Sequence, residues 1–287
     1  MAFDTSEALN IQAARTINVG RGSSPIGVPL FSDDFENGDA SNSVFTWSNI
    51  NKISTDRAYL GSQSLKFSYG PDELGEDSTA EQRFSLDRKY TEIWVRYKMW
   101  VPENYTHRDD GGPTNNKGLL MLWGDSYSGY SPTCSLHFGP RANGDSYIYM
   151  GWRVNSSTVR NFYNPDNVTD FDSSGRVDGI VSADRGTWVD WAIHMKVSTN
   201  YIAPQGEWDP VNDNGIIQVW KNGSLIIDLQ NAHNYYSGDA GDPGGVGDGW
   251  NYGYLLGWAN SGFTDLTNFY IDDFLFADTA DGIGLGG

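Results

Sequence analysis

The stretch Gly215 to Gln230, GIIQVWKNGSLIIDLQ, decides the fold. Ile216, Gln218 and Trp220 alternate with Ile217, Val219 and Lys221, and a second apolar run, Leu225-Ile226-Ile227, follows Asn222-Gly223. Asn-Gly between two alternating runs predicts a β-hairpin, because a type I′ turn needs positive φ at both central positions. A period of two turns one face to a core and the other outward.

Working outward, the same pattern recurs. In Tyr90 to Val101 the residues Ile93, Val95, Tyr97, Met99 and Val101 share one face; Trp94, Arg96, Lys98 and Trp100 share a mixed cationic-aromatic other. Trp188 to Val197 turns Val189, Trp191, Ile193, Met195 and Val197 inward and Asp190, His194 and Lys196 outward. Ser146 to Val154 points Ile148, Met150, Trp152 and Val154 one way, and Tyr147, Tyr149 and Arg153 the other. Shorter runs at Thr46 to Ile53, Ser64 to Tyr69, Ala80 to Leu86, Lys117 to Gly124, Ser135 to Phe138, Tyr252 to Trp258 and Phe269 to Ala277 read as further strands. Many strands and no long helix predict an all-β, two-sheet antiparallel sandwich.

Length and composition agree with that reading. The 287 residues suffice for one large β domain, and 34 Gly with 11 Trp, 16 Tyr and 13 Phe suit strands and turns. A formal charge of −18 argues against nucleic acid or an anionic membrane as partner. It is compatible with a neutral glycan or a cation. One cysteine, Cys134, excludes an intrachain disulfide and reads as a small buried hydrophobe. Nothing reaches transmembrane length, and the first residues lack the basic and apolar regions of a signal peptide. The expectation is an extracellular or virion-surface protein, its export information removed or its exit by another route, such as a virus particle. Residues 1–30 read as an N-terminal arm for other virion proteins in an oligomer, 31–278 as the sandwich, and 279–287 as a flexible tail.

Three segments in this order, SDDFENGD from Ser32, WVDWAIHMKV with the hairpin from Trp188, and FYIDDFLFAD from Phe269, resemble the concanavalin A-like jelly-roll superfamily. That superfamily holds laminin-G-like lectins, family 16 glucanases and polysaccharide lyases, so the fold alone does not choose a function. The resemblance implies a structural Ca²⁺ joining the first and last strands. Asp34, Glu36 and Asp273 are the ligand choices, Asp273 because it falls on the face of Ile271 and Leu275. Solvated or turn-forming acids are the alternative.

A glucanase would need an ExDxE strand, which is absent; Asp170-Phe171-Asp172 has the nearest spacing and sits in a turn-rich stretch. A lyase needs a base, an acid and cations around a uronate carboxylate. His137 with Ser135, Tyr147, Tyr149 and Arg153 supply that list, with Arg96, Lys98 and Lys117 as further charge; His137, Tyr149 and Arg153 are the catalytic candidates. Against it stand the missing Gln-X-His and Tyr-X-Lys-X-X-Tyr patterns, of which Tyr252-X-Tyr254 with Trp258 is a partial match. Sugar rings stack on aromatic faces, which makes Trp94, Arg96, Trp100, Tyr147, Tyr149 and Arg153 the candidate glycan-binding set. The sequence reading is therefore a lectin-like, glycan-facing module of a phage or other virion assembly, binding a polysaccharide or cell-surface glycan. A uronate-cleaving polysaccharide lyase is the alternative, and a purely structural particle protein the third.

Overall fold

The computed structural model describes residues 27–38, 40–48, 52–109, 116–124, 133–153, 159–162, 176–199, 213–232, 234 and 249–285. The arm at 1–26 and the Asp170-Phe171-Asp172 spacing lie outside them. Among the described residues fifteen strands form two antiparallel sheets, the β-sandwich that the alternation predicts.

Sheet A is centred on β6 (Glu92–Val101), flanked by β11 (Thr187–Lys196) and β15 (Thr267–Ala277). Beyond β11 come β12 (Gly215–Lys221) and β13 (Ser224–Ala232). Beyond β15 come β4 (Ser64–Tyr69) and β3 (Ile53–Ser54), and β1 (Phe31–Asp33) also pairs with β15. Sheet B runs from β10 (Val159–Phe162) through β9 (Ser146–Arg153), β8 (Thr133–Pro140) and β7 (Asn116–Trp123). It continues through β14 (Trp250–Ala259) and β5 (Ser78–Tyr90) to β2 (Phe45–Ser48). The single run read over Thr46 to Ile53 is thus two strands on different sheets.

The opening hairpin is the β12–β13 pair, with φ of 51° at Asn222 and 77° at Gly223, as a type I′ turn requires. The inward residues of β6 and β11 are buried, as alternation predicts: Ile93, Val95, Tyr97, Met99, Val101, Trp191, Ile193 and Met195 are all at 0% exposure. Cys134 is buried among them, and burial pushes its thiol up to about 12. Phe31, Phe45, Trp47, Phe84 and Phe274 close one end of the core with ring-to-ring contacts. Among the described residues no helix is long and apolar enough to cross a membrane.

Two buried tyrosines connect the layers. Tyr97 on β6 donates its hydroxyl to the Leu119 carbonyl at 2.6 Å, and the Tyr69 hydroxyl on β4 lies 2.8 Å from the carbonyls of Ala80 and Gly257. Leu119 falls where the β7–β8 register slips between Gly118 and Leu120. Gly257 follows Leu256, whose φ is +56°, at a slip in the β14–β7 pairing. A bulge turns carbonyls away from the ladder. Here those carbonyls meet phenols that would otherwise be buried without partners.

Two expectations are overturned. β15 carries a bulge at Asp272–Asp273, with φ of 52° at Asp273, so the buried series Phe269, Ile271 continues as Phe274, Phe276. Asp273 therefore does not share the Ile271 face. Nor are residues 279–285 a loose tail. Asp281–Ile283 forms a 3₁₀ turn, Ile283 is fully buried against Ala192 and Ala277, and Trp94, Trp220, Leu275 and Leu285 pack around it.

Candidate functional site

The outward faces of the two sheets are the places where polar and aromatic side chains gather, and they point away from each other. On sheet A, Trp94 stacks on His194 with ring centroids 3.7 Å apart. Both His194 nitrogens are engaged, Nδ1 with Gln218 and Nε2 with Glu92, each at 2.8 Å. Arg96 binds Asp190 through two nitrogens and donates to the Ile283 carbonyl at 3.0 Å; Lys98 reaches the same carboxylate at 2.9 Å. Burial opposes charge on Asp190, yet these two cations hold its carboxyl below the usual range. Trp100 carries the Arg57 guanidinium over its ring at 4.0 Å. Half of the candidate glycan-binding set is thus occupied: Trp94 with His194 and the C-terminal turn, Arg96 with Asp190 and that turn, and Trp100 with Arg57 and Trp188.

The outer face of sheet B is laid out by its register. One row across the strands is Arg83, Tyr254, Met121, Ser135 and Gly151. On one side of it lies the row Ser85, Tyr252, Trp123 and Thr133; on the other, Glu81, Leu256, Gly118, His137 and Tyr149. Trp123 stacks on Tyr252 at 6.0 Å and meets Tyr254 at 5.7 Å, which makes an aromatic wall beside the polar row. Arg83 pairs with Glu81 along β5.

His137 sits directly across from Tyr149, with ring centroids 5.2 Å apart and an interplanar angle of 27°. Its Nε2 is 2.7 Å from the Ser135 hydroxyl, and its Nδ1 is shielded from solvent with no hydrogen-bond partner. Burial lowers its pKa to about 4, so the imidazole is neutral at neutral pH. Tyr147 lies over Gly139, where any Cβ would strike its ring, and Arg176 sits 4.4 Å above it. Arg153 ends β9, opposite Val159; its side chain and that of Lys117 lie outside the described residues.

The structure thus brings His137, Ser135, Tyr147 and Tyr149 onto one face and puts Trp94, Arg96 and Trp100 on the opposite one. Alternation gives the outward direction of a strand without saying which sheet the strand joins. Sequence reading passed over Trp123, Gly118 and the Glu81–Arg83 pair, and gave Tyr254 little weight. The period-two spacing of Tyr252 and Tyr254 was the available signal.

The residues expected to hold Ca²⁺ do not fit it. Glu36 accepts from the Ser62 amide and hydroxyl and the Gln63 amide, at 2.7–2.8 Å, so both its oxygens are committed. Asp34 accepts from the Glu36 amide, and burial raises the Asp273 carboxyl, with Lys98 and Arg96 opposing the rise and Asp190 and Asp34 adding to it. Among the described residues no group of three or more His, Cys, Asp or Glu side chains could hold a metal ion. The acidic step instead staples loops: Asp33 accepts from the Phe35 amide and the Trp47 indole, and Asp272 from the amides of Tyr59, Leu60 and Asp273.

Residues 34–274 match the family described as polysaccharide lyase. The chain belongs to the polysaccharide lyase family. No curated protein sequence matches it. Among solved structures it is similar to alginate lyase vAL-1 from Chlorella virus, at 12% identity and a TM-score of 0.51, covering 83% of this chain and 94% of that one. A variant of alginate lyase Aly36B in complex with an alginate tetrasaccharide aligns at 13% identity and a TM-score of 0.44, covering 79% and 85%. At these identities the likeness concerns the jelly-roll fold. Membership of this lyase family, together with that fold, bears out the superfamily resemblance and makes a carbohydrate the ligand class.

Proposed function

We propose that the outer face of sheet B is the active face of a polysaccharide lyase that cleaves a uronate-containing polysaccharide by β-elimination. One observation carries this reading: a neutral His137 stacked against Tyr149 and hydrogen-bonded to Ser135 on the outward face of sheet B. In the reaction His137 takes the proton from the carbon beside the uronate carboxylate. The electron pair left behind forms the C4–C5 double bond as the C4–O glycosidic bond breaks. Tyr149 gives its phenolic proton to the departing oxygen. A positioned acid and base each contribute about 10²–10⁴-fold. Arg153, two residues beyond Gly151 on β9, is assigned to the carboxylate, whose charge must be stabilised as the proton leaves. Tyr252, the partly exposed ring of the three, is assigned to stack on a sugar, with the buried Trp123 packed behind it.

Incubation with alginate, glucuronan and heparin-type polysaccharides, followed by the absorbance of the unsaturated product, tests this directly. Appearance of that absorbance in the wild type and its loss in His137→Gln supports the lyase. No signal on any uronate polymer would leave a glycan-binding face without turnover, the reading that co-sedimentation with the same polymers then addresses. A place on a virus particle rests on the acidic charge, the lack of disulfides and of signal-peptide character, and the arm read over residues 1–30.

A further inference from the structure

Among the described side chains, Trp258 is the only exposed tryptophan, at 44%. It pairs with Thr79 across β14 and β5, and both stand outward, since Ala259 and Ser78, the next pair in the ladder, are buried. Trp258 is therefore on the outer face of sheet B, the face that carries His137 and Tyr149.

The backbone leading to it is unusual. Leu256 has a φ of 56° and Gly257 a φ of 132°. A leucine seldom takes a positive φ, and such a residue persists only where its surroundings hold it. Here the buried Tyr69 phenol does so: its oxygen lies 2.8 Å from the Gly257 carbonyl and accepts from the Gly257 amide at 3.3 Å. Strict alternation would set Leu256 outward with Tyr252 and Tyr254. The kink turns it into the core instead, at 0% exposure, while Trp258 stays outward.

That exchange shapes the face beside His137. Leu256 lies in the His137 row, across from Gly118. With Leu256 turned inward and glycine opposite it, neither position raises a side chain between His137 and Trp258. Tyr252 precedes Leu256 on β14 and Trp258 follows it, so the two rings lie on opposite sides of the His137 row. β8 is two strands away from β14, about 10 Å at the usual strand spacing. A sugar ring seated at His137 does not cover Trp258, whereas a ring further along the same chain can reach it.

We propose that Trp258 is a second stacking platform for the polysaccharide, holding a sugar on the side of the His137 row opposite Tyr252. Its indole offers a flat apolar surface to the C–H face of a pyranose. The ligand is the uronate polymer of the lyase reading above, on which this role rests; the contact itself needs no turnover.

The test is kinetics on a long uronate polymer and on the shortest oligomer that the wild type cleaves, in wild type, Trp258→Ala and Trp258→Phe. Trp258→Ala should raise KM on the polymer roughly tenfold with kcat unchanged, as expected when a uniform binding contact is lost. The shortest oligomer should show no change, and Trp258→Phe should recover most of the loss on the polymer. An unchanged KM on the polymer would overturn the platform. So would an equal rise on the shortest oligomer, which would mean a general disturbance of the face. If no uronate polymer is cleaved, co-sedimentation with the same polymers decides. Weaker retention of Trp258→Ala than of wild type would then keep the platform while the lyase reading falls. Equal retention, or none for either protein, would sink both.

Discussion

His194 on sheet A hydrogen-bonds through both ring nitrogens and lies flat on Trp94, whereas His137 on sheet B bonds through one and leaves the other unengaged. The contrast extends to the neighbours. Around His194 the cations Arg96 and Lys98 close on Asp190, and a C-terminal turn packs over Trp94 and Trp220. Around His137 the flanking positions are Gly118 and Tyr149, and the Trp123–Tyr252 pair stands on the far side of the Ser135 row. Both faces read from sequence as aromatic, cationic and outward. What separates them is whether each polar group has already been satisfied within the protein; a satisfied face is scaffold, and an unsatisfied group is where a ligand gains something.

The widest test of that difference exchanges the two histidines. His137→Gln should lower kcat about 10²–10⁴-fold while the protein remains folded. His194→Gln should leave turnover of the folded protein unchanged. In the wild type the acid limb of kcat/KM should fall near pH 4, since burial holds the free-enzyme imidazole to about that value. An acid limb near the ordinary histidine range would break the link between burial and catalysis.

Next in size is the charge cluster on the satisfied face. Asp190→Ala takes from Arg96 and Lys98, whose side chains are 16% and 14% exposed, the carboxylate that both bind, and leaves only the Asp273 field opposite them. Loss of one partner of such a buried pair costs about 3–5 kcal/mol. Urea unfolding should register the full loss, and kcat measured on folded protein should not move. A change in kcat without a change in stability would mean that the two faces are not independent.

The aromatic residues sharpen the comparison at lower energy. Tyr252→Ala should raise KM roughly tenfold, about 1.4 kcal/mol of binding, through the lost stacking surface. Trp94→Ala should leave KM unchanged and lower the unfolding midpoint, because its ring serves His194 and the C-terminal turn. Glycan affinity that depends on Trp94 and not on Tyr252 would move the site to the other face.

These assignments also mark what the residue order could reveal. Alternation identified the buried rows of β6 and β11, and Asn222-Gly223 gave the turn, because both are local properties of the chain. His137, Ser135 and Tyr149 could be grouped because β8 and β9 are consecutive and pair directly. Trp94 and Tyr149 were grouped in error since sheet membership depends on β6 pairing with β11 and β15, strands far away in sequence. Asp273 was misplaced for a related reason. A bulge at φ 52° shifts the period by one residue, and Asp-Asp carries no mark of it. The surroundings of Glu36 were equally illegible, as the Ser62 and Gln63 amides from which it accepts come from a loop whose position only the tertiary fold sets.

The smallest expected effect is the pH dependence of stability, because His137 on one face and Asp272 on the other act in opposite directions. His137 is held to about 4, below its usual 6.5, by burial. The unfolded chain binds its proton more readily, so its contribution is complete above the ordinary histidine pKa and is lost as pH falls toward 4. Asp272 is raised from 3.8 to about 6, by burial first, although three amides partly offset the rise. Here the folded state binds the proton more readily, so stability is greatest at low pH and declines as pH rises through about 6. Between about pH 4 and 6 the two slopes oppose each other, and their sum in the wild type is shallow. His137→Gln should uncover the sheet A slope, with urea midpoints falling from pH 4 to pH 6. Asp272→Asn should uncover the sheet B slope, with midpoints rising over the same range. If both variants kept the wild-type profile, the unengaged imidazole would be no more desolvated than a surface histidine. The physical distinction between the two faces would then rest on hydrogen bonding alone.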